Sequence, residues 1–480
     1  MSFNPDFLPT VGGATQSGVM GMEDVAEMRK ALTAGYGSTM ESLTGGGSLR
    51  IQSLEKTMLS TIVDNKHFKL FNALQKSNAT ATVDEWTEQS GIGGFNGSSV
   101  NTETGVIAAT SGDYARRVGL VKYLMTRREI SAMLQNQNAI VSAEAVEHSN
   151  AALQLLRDAE YLCFEGDSSI IPTEFDGIYA QMVALADSDH IIDAAGQSLA
   201  SIALVDEAAA TIYGNNNFGQ ATHLFMSMMN QSDFNTNLDP AWRVNLNGSA
   251  QSIVAGSPVT GIQTSWGTIE TAADVFIRDE RQQKPFEVEN AATAVANLAL
   301  QPASFTATEA AGDASSKWGA AHAGLYYYAV AGLSAAGQSA VVVSAQKTVA
   351  QGEKITLVIT KSAGGTENGY VIYRGRKGGT NAVSDLRFVA RIPYGGATTT
   401  WVDNNLEIPG TSKAYLLSMK NDAITWRQYM PMSRYALYPT NAAVNPFAIL
   451  LAGFLRIGKR RQQVVIKNIC PAGNIWKPFQ

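Results

Sequence analysis

Charge and cysteine are what this sequence has least of. Only 16% of its 480 residues are Asp, Glu, Lys or Arg, where about 25% is usual. Little of the surface therefore relies on charge for solvation, and much of it can face other protein, because interface cores are depleted of charge. Two cysteines, Cys163 and Cys470, exclude a disulfide framework and a four-thiolate metal site. Both read as buried thiols. No run reaches the roughly 20 apolar residues of a membrane span; the nearest, 442–457, is interrupted or ended by Asn445, Pro446 and Arg456. The start, Met1 to Pro5, lacks the basic residues and apolar run of a secretory signal, so synthesis in a reducing cytosol is the expectation. A net charge of −6 lacks the concentrated basic footprint of a nucleic-acid reader.

Signatures of catalysis are equally sparse. The histidines His67, His148, His190, His223 and His322 are scattered, with no pair at a metal-building spacing. Asp187-Ser188-Asp189-His190 has metal-like composition but reads as a solvated turn. No phosphate loop of the Gly-x-x-x-x-Gly-Lys type exists, and Gly91–Gly97 has the wrong spacing and context for a dinucleotide turn. A Gly-x-Ser-x-Gly elbow is missing too. Glu287 and Glu289 fit the polar face of a strand better than an acid–base pair. The expectation is no catalytic residue, no metal, no cofactor and no enzyme.

With 45% apolar residues the chain can bury a sizeable core, and its length suits roughly three units. Residues 1 to about 50 are rich in Gly, Ser and Thr, with one helical stretch at Met22–Leu32, and read as an extended arm. From Ser77 to Leu120 two polar halves flank Gly91–Gly97, the pattern of a long hairpin. Its edges would be exposed in a monomer, so it makes better sense lying across a neighbour. Val141, Ala145, Ala152, Leu155, Ala159 and Leu162 predict a helix over 138–165, about 40 Å long, capped by Asn138 and closed by a left-handed Gly166. A turn at Pro172–Gly177, a helix near Leu204–Tyr213 and the apolar run His223–Met229 predict a mixed α/β region up to Ala299.

At about residue 300 the pattern changes. Short β-branched and aromatic runs at Leu325–Val330, Ala340–Ala345, Ile355–Thr360, Gly369–Arg374, Phe388–Ile392 and Thr398–Val402 predict a β-sandwich. The mixed pattern resumes after about Ser412, so the sandwich is an insertion. Trp318, Tyr326-Tyr327-Tyr328 and Trp401 could stack on sugars, but such aromatics more often fill a sandwich core. The strongest charge cluster is Arg456, Lys459, Arg460, Arg461 and Lys467. It could meet phosphate, or the acidic hairpin residues Asp84, Glu85, Glu88 and Glu103 of a neighbouring subunit. The second reading is favoured, because the aromatic interleaving of single-strand binders is missing.

Arm, long hairpin, long helix and α/β region, in that order, resemble the HK97-fold major capsid proteins of tailed bacteriophages. Further stretches are similar to those of large contractile-tailed phages. They are Ser42–Arg50 with Glu55, Phe164–Ser169 leading into Phe175-Asp176-Gly177, Leu204–Ala208, Leu224–Met226, Asp233-Phe234 and Leu238–Pro240. The resemblance implies an α+β HK97-like fold: N-terminal arm 1–76, E-loop 77–126, peripheral domain with its spine helix 127–169, and a first part of the axial domain 170–301. The segment 302–411 would be an inserted immunoglobulin- or fibronectin-like sandwich. Residues 412–480 would return through the axial domain, with Val464–Asn468 joining the peripheral sheet.

The implied function is self-assembly into hexamers and pentamers of an icosahedral shell around phage DNA, in the virion, after assembly in the bacterial cytoplasm. The implied partners are copies of itself, the portal and, where used, scaffold, decoration or protease proteins. Packaged DNA would be near but weakly held, and no membrane is implied. A vertex-specific subunit of the same fold and a glycan-binding adhesin using the sandwich are the competing readings. Some members of this family weld subunits through a lysine on the E-loop. Residues 77–121 contain no lysine, so no covalent ladder should survive boiling in detergent, as a denaturing gel of assembled particles would show.

Overall fold

The structure is a computed structural model and describes residues 67–136, 143–185, 187–199, 202–214, 217–237, 260–279, 300–335, 337–439, 443–470 and 476–479. The expected arm up to residue 66, the cap Asn138 and the pair Glu287 and Glu289 lie outside these. The long helix runs over Ala143–Glu165 and buries Ala151, Leu155, Ala159, Leu162, Cys163 and Phe164. Of the expected face, Leu155, Ala159 and Leu162 are buried and Ala152 is half-buried, while Ala145 is exposed, so the buried stripe begins at Ala151.

Gly166 follows the helix, its N–H bonding the Leu162 carbonyl at 3.0 Å. It is not in the left-handed region, contrary to expectation. Glycine is needed there for space: a Cβ would lie 2.4 Å from the Phe175 carbonyl oxygen and 2.6 Å from that of Leu162.

The helix packs on a four-stranded sheet ordered Lys76–Asn78, Ile424–Ala436, Val444–Ile457, Lys122–Ser131. Phe447, Ile449, Leu451 and Leu455 supply its buried side chains. Trp426 is fully buried and meets the edges of Phe71 and Phe175, with ring centroids 5.1 and 5.3 Å away. A six-stranded sheet follows, ordered Ile191–Asp193, Val464–Ile469, Ser412–Leu417, His223–Ser227, Gly267–Asp274, Gly261–Thr264. The helix Ile202–Tyr213 covers it through Val205, Ala208, Ala209 and Ile212. The final strand, expected in the peripheral sheet, belongs to this six-stranded sheet. After Ile457 the chain reverses through the short turn Arg460–Gln462, which carries Val464 away from the sheet that the preceding strand completed.

Between Gly267–Asp274 and Ser412–Leu417, both members of that sheet, the chain leaves to build a two-layer β structure. One layer is ordered Thr398–Asp403, Lys354–Thr360, Ser304–Ala310; the other is built on Tyr328–Ser334, Gly369–Gly375 and Leu386–Pro393. Ile355, Leu357 and Ile359 of the first layer share one core with Tyr328, Tyr370 and Ile372 of the second. Four of the expected runs hold. Leu325–Val330 is split at Tyr327 between Gly324–Tyr326 and Tyr328–Ser334, and Ala340–Ala345 shrinks to Val342–Val343. Lys347–Val349 and Ser304–Ala310, where Thr, Ala and Glu hide the strand, were not expected. Trp318, Tyr326 and Tyr328 are buried in this core, and Trp401 packs against it.

Polar groups are also buried at the joints. Glu165, at the helix end, accepts hydrogen bonds from Lys413 Nζ at 2.9 and 3.0 Å and from the Tyr415 hydroxyl at 3.2 Å. Burial opposes its ionisation, but Lys413, Arg278 and Arg391 outweigh that and hold it at about 2. Glu160, fully buried, accepts the N–H groups of Leu70 and Phe71, both at 2.7 Å. Burial first, and the facing Asp274 carboxyl second, push Glu160 up to about 9. Asp274 is raised by burial as well, because two buried carboxyls in contact cannot both ionise cheaply.

The folded chain thus keeps a proton that unfolded Glu160 releases near 4.5. Its stability contribution is complete below that pH and is lost as pH rises through about 9, at up to about 1.4 kcal/mol per pH unit. Glu160→Gln should flatten the fall in melting temperature between those limits, measured by calorimetry across the range.

Candidate assembly surface

The hairpin is built by Val83–Gly91 and Asp113–Leu120, with its tip at 92–112. Gly93, Gly94 and Gly97 have positive φ there, which gives the Gly-rich run a geometric reason. Side chains alternate between two faces. On one face lie Asp84, Trp86, Glu88 and, on the other strand, Ala115, Arg117 and Gly119; on the opposite face lie Val83, Glu85, Thr87, Tyr114, Arg116, Val118 and Leu120.

The first face is fastened to the chain's own body. Trp86 stacks on Phe454 with centroids 6.4 Å apart, and a Cβ on Gly119 would lie 2.2 Å from the Phe454 ring. Asp84 takes two hydrogen bonds from Arg427, at 2.7 and 3.0 Å. Glu88, 6% exposed, accepts from Arg460 at 2.8 Å and from Arg117 at 3.1 Å. Burial disfavours the Glu88 carboxylate, yet the hydrogen bonds and charges of Arg460 and Arg117 keep its pKa below the ordinary value.

For Glu88 and Arg460, then, the pairing expected between subunits is made inside one chain. Glu85 pairs with Arg116 on the hairpin itself, Lys459 with Asp422, and Lys467 with Glu407 at 2.8 Å. Glu103 is exposed near the tip. Arg456 and Arg461 are half-buried, and the Nε of each has no hydrogen-bond partner among the described residues. Burial and the neighbouring Arg427 lower the Arg456 pKa. Arg461 lines a 640 Å³ cavity with Asp187, Asp189, His190, Asp193 and Glu207. His190 is buried there, its Nδ1 3.1 Å from the Gln463 carbonyl. Among the described residues no group of three or more His, Cys, Asp or Glu side chains could hold a metal.

Sequence reasoning missed Arg427 and Gly119. A lone arginine within a strand and a lone glycine carry no motif; only the fold brings Asp84 and Phe454 to them.

Among the described residues the second face is exposed, and about half of its side chains are apolar. Tyr114 is 67% exposed, Val118 54% and Leu120 53%, and the tip adds Phe95 at 80% and Val106 at 96%. Long exposed strands with apolar side chains invite pairing with another chain. The site is thus a candidate contact surface: a hairpin anchored by one face with the other exposed.

No model of a known family matches the sequence. The chain is 24% identical over 461 residues to the "Major capsid protein" of Staphylococcus phage S25-3, covering 93% of this chain and 95% of that one. The same figures hold for the "Major capsid protein" of Staphylococcus phage K. Among solved structures it overlays the capsid of an empty GTA particle (TM-score 0.46, 9% identity, 90% of this chain and 99% of that one). It also overlays the capsid of Myoviridae phage XM1 (TM-score 0.42, 11% identity, 86% and 96%). The chain is similar to phage major capsid proteins along nearly its whole length.

Replacing Arg460 by Ala would leave Glu88 buried with only the partly exposed Arg117. The expected loss is about 3–5 kcal/mol, read from denaturant unfolding; Arg116→Ala, at an exposed pair, should cost about 0–1 kcal/mol.

Proposed function

We propose that this protein is the major capsid protein of a tailed bacteriophage and acts as a structural subunit, without catalysis. Its copies associate into hexamers and pentamers that close an icosahedral shell around DNA. The observation that carries this reading is the two-faced hairpin in a chain related throughout its length to phage major capsid proteins. A hairpin fixed to its own body cannot cover its outer face by folding back. A neighbouring copy can cover Tyr114, Val118 and Leu120, and each such contact is repeated over every subunit of a shell.

The exposed Glu103 and the half-buried Arg456 and Arg461 are the remaining charged candidates for contact with a neighbour, with Lys459 and Glu85 held only in exposed pairs that a neighbour could exchange. The weak negative charge suits a wall near DNA that does not grip it. Portal and, where used, scaffold, decoration or protease proteins complete the particle, assembled in the bacterial cytoplasm. The β-sandwich at 302–411 is read as an inserted immunoglobulin-like module, 77–126 as the E-loop and 127–169 as the spine-bearing peripheral domain.

Electron microscopy and sedimentation of the purified chain, alone and co-expressed with its phage's scaffold, test the reading. Shells, tubes or ring-shaped capsomers are expected. Val118→Asp should prevent them while leaving the melting temperature within about 2 °C, because an exposed substitution changes stability little. A monodisperse monomer under both conditions, or undiminished assembly by the Val118→Asp chain, would overturn it.

A further inference from the structure

The last described residues sit on the β-sandwich. Trp476 is 5% exposed, and its indole Nε1 donates to the Asp385 carbonyl at 3.1 Å. The Arg387 guanidinium lies over the Trp476 ring, 5.0 Å from its centroid. A Cβ on Gly410 would fall 2.5 Å from that ring, so the segment leading out of the sandwich must carry glycine to admit it. The backbone N–H of Lys377 donates to the Pro478 carbonyl at 2.9 Å. Phe479 stacks on His322 with centroids 3.9 Å apart and planes at 21°, and it packs against the sandwich core.

These contacts reach three separate stretches of the sandwich and its exit. The other end of the tail follows directly from Val464–Ile469, a strand of the six-stranded sheet. The tail therefore runs from the body of the subunit to the module that leaves and re-enters it.

We propose that Trp476–Phe479 is a strap: the sandwich carries a binding site, made by His322, Lys377, Asp385, Arg387 and Gly410, for the aromatic-Lys-Pro-aromatic end of the same chain, which holds the module on the subunit body. Two aromatic rings give a four-residue segment a large area to bury. Pro478 limits the conformational freedom lost on docking. Attachment six residues after Cys470 keeps the effective concentration of the tail high. A shell built from many copies would then present every sandwich in one orientation. The inference stands on the contacts alone and holds whether or not the capsid reading does.

Amide hydrogen exchange compares the full chain with a chain ending at residue 475 and with the Trp476→Ala/Phe479→Ala double variant. Exchange around His322, Lys377–Arg387 and the exit segment 404–411 should rise by about tenfold or more in both variants, with the Ala143–Glu165 helix unchanged. Unchanged exchange at those sites in both would overturn the strap. So would an equal rise in the long helix, which would make the tail a general stabiliser. Protection of the full chain should not vary with protein concentration; protection that falls on dilution would mean that a second copy supplies the tail, and would overturn the assignment to the same chain.

Discussion

The period-two alternation of Val83–Gly91 and Asp113–Leu120 is the constraint on which the assembly surface depends. A strand can give only every second side chain to one side. Here one set, Asp84, Trp86 and Glu88, is matched to Arg427, Phe454 and Arg460 of the same chain. The other set, with Val83, Tyr114, Val118 and Leu120 among it, is thereby turned outward. A slip of one residue would exchange the two sets, burying Val118 and exposing Glu88. The buried ion pair resists that slip, because Glu88 and Arg460 would each lose the partner that makes burial tolerable.

The same use of buried carboxyls recurs where elements from distant parts of the chain meet. Glu160 satisfies two backbone N–H groups at the short helix Lys69–Ala73. Glu165 joins the end of the long helix to the strand Ser412–Leu417. Arg391 of the sandwich donates to the Glu165 carbonyl and to Glu174, both at 3.2 Å. The Glu165 and Glu174 pairs are charged, and Glu160 acts as a protonated acceptor; each joins elements far apart in the sequence. Low overall charge and highly directed internal charge are two aspects of one design: outer faces available to other protein, inner joints set by polar pairing.

Much of this was legible beforehand. The long helix, the hairpin with its glycine tip, the helix at 202–213 and most sandwich strands follow from periodicity and turn chemistry. Misses have specific causes. Ser304–Ala310 carries Thr and Ala where a strand signal needs large β-branched residues, and its status comes from pairing with Lys354–Thr360. Gly166 reads as a left-handed cap because that is the commonest use of glycine after a helix; its real role is a close approach to Phe175. Val464–Ile469 is an unmistakable strand, but no local signal says which sheet it joins.

By itself, the sequence determined most of the helices, strands and turns, and that charge is scarce. Those properties are local or compositional, and elementary physical chemistry acts on them within a few residues. Only the tertiary structure decided that Glu88 meets Arg460 of its own chain, that Gly119 lies against Phe454, and that Trp476 and Phe479 rest on the sandwich. Such pairings join residues far apart in sequence, and they depend on sheet register and on how the chain crosses itself. No spacing rule encodes that order.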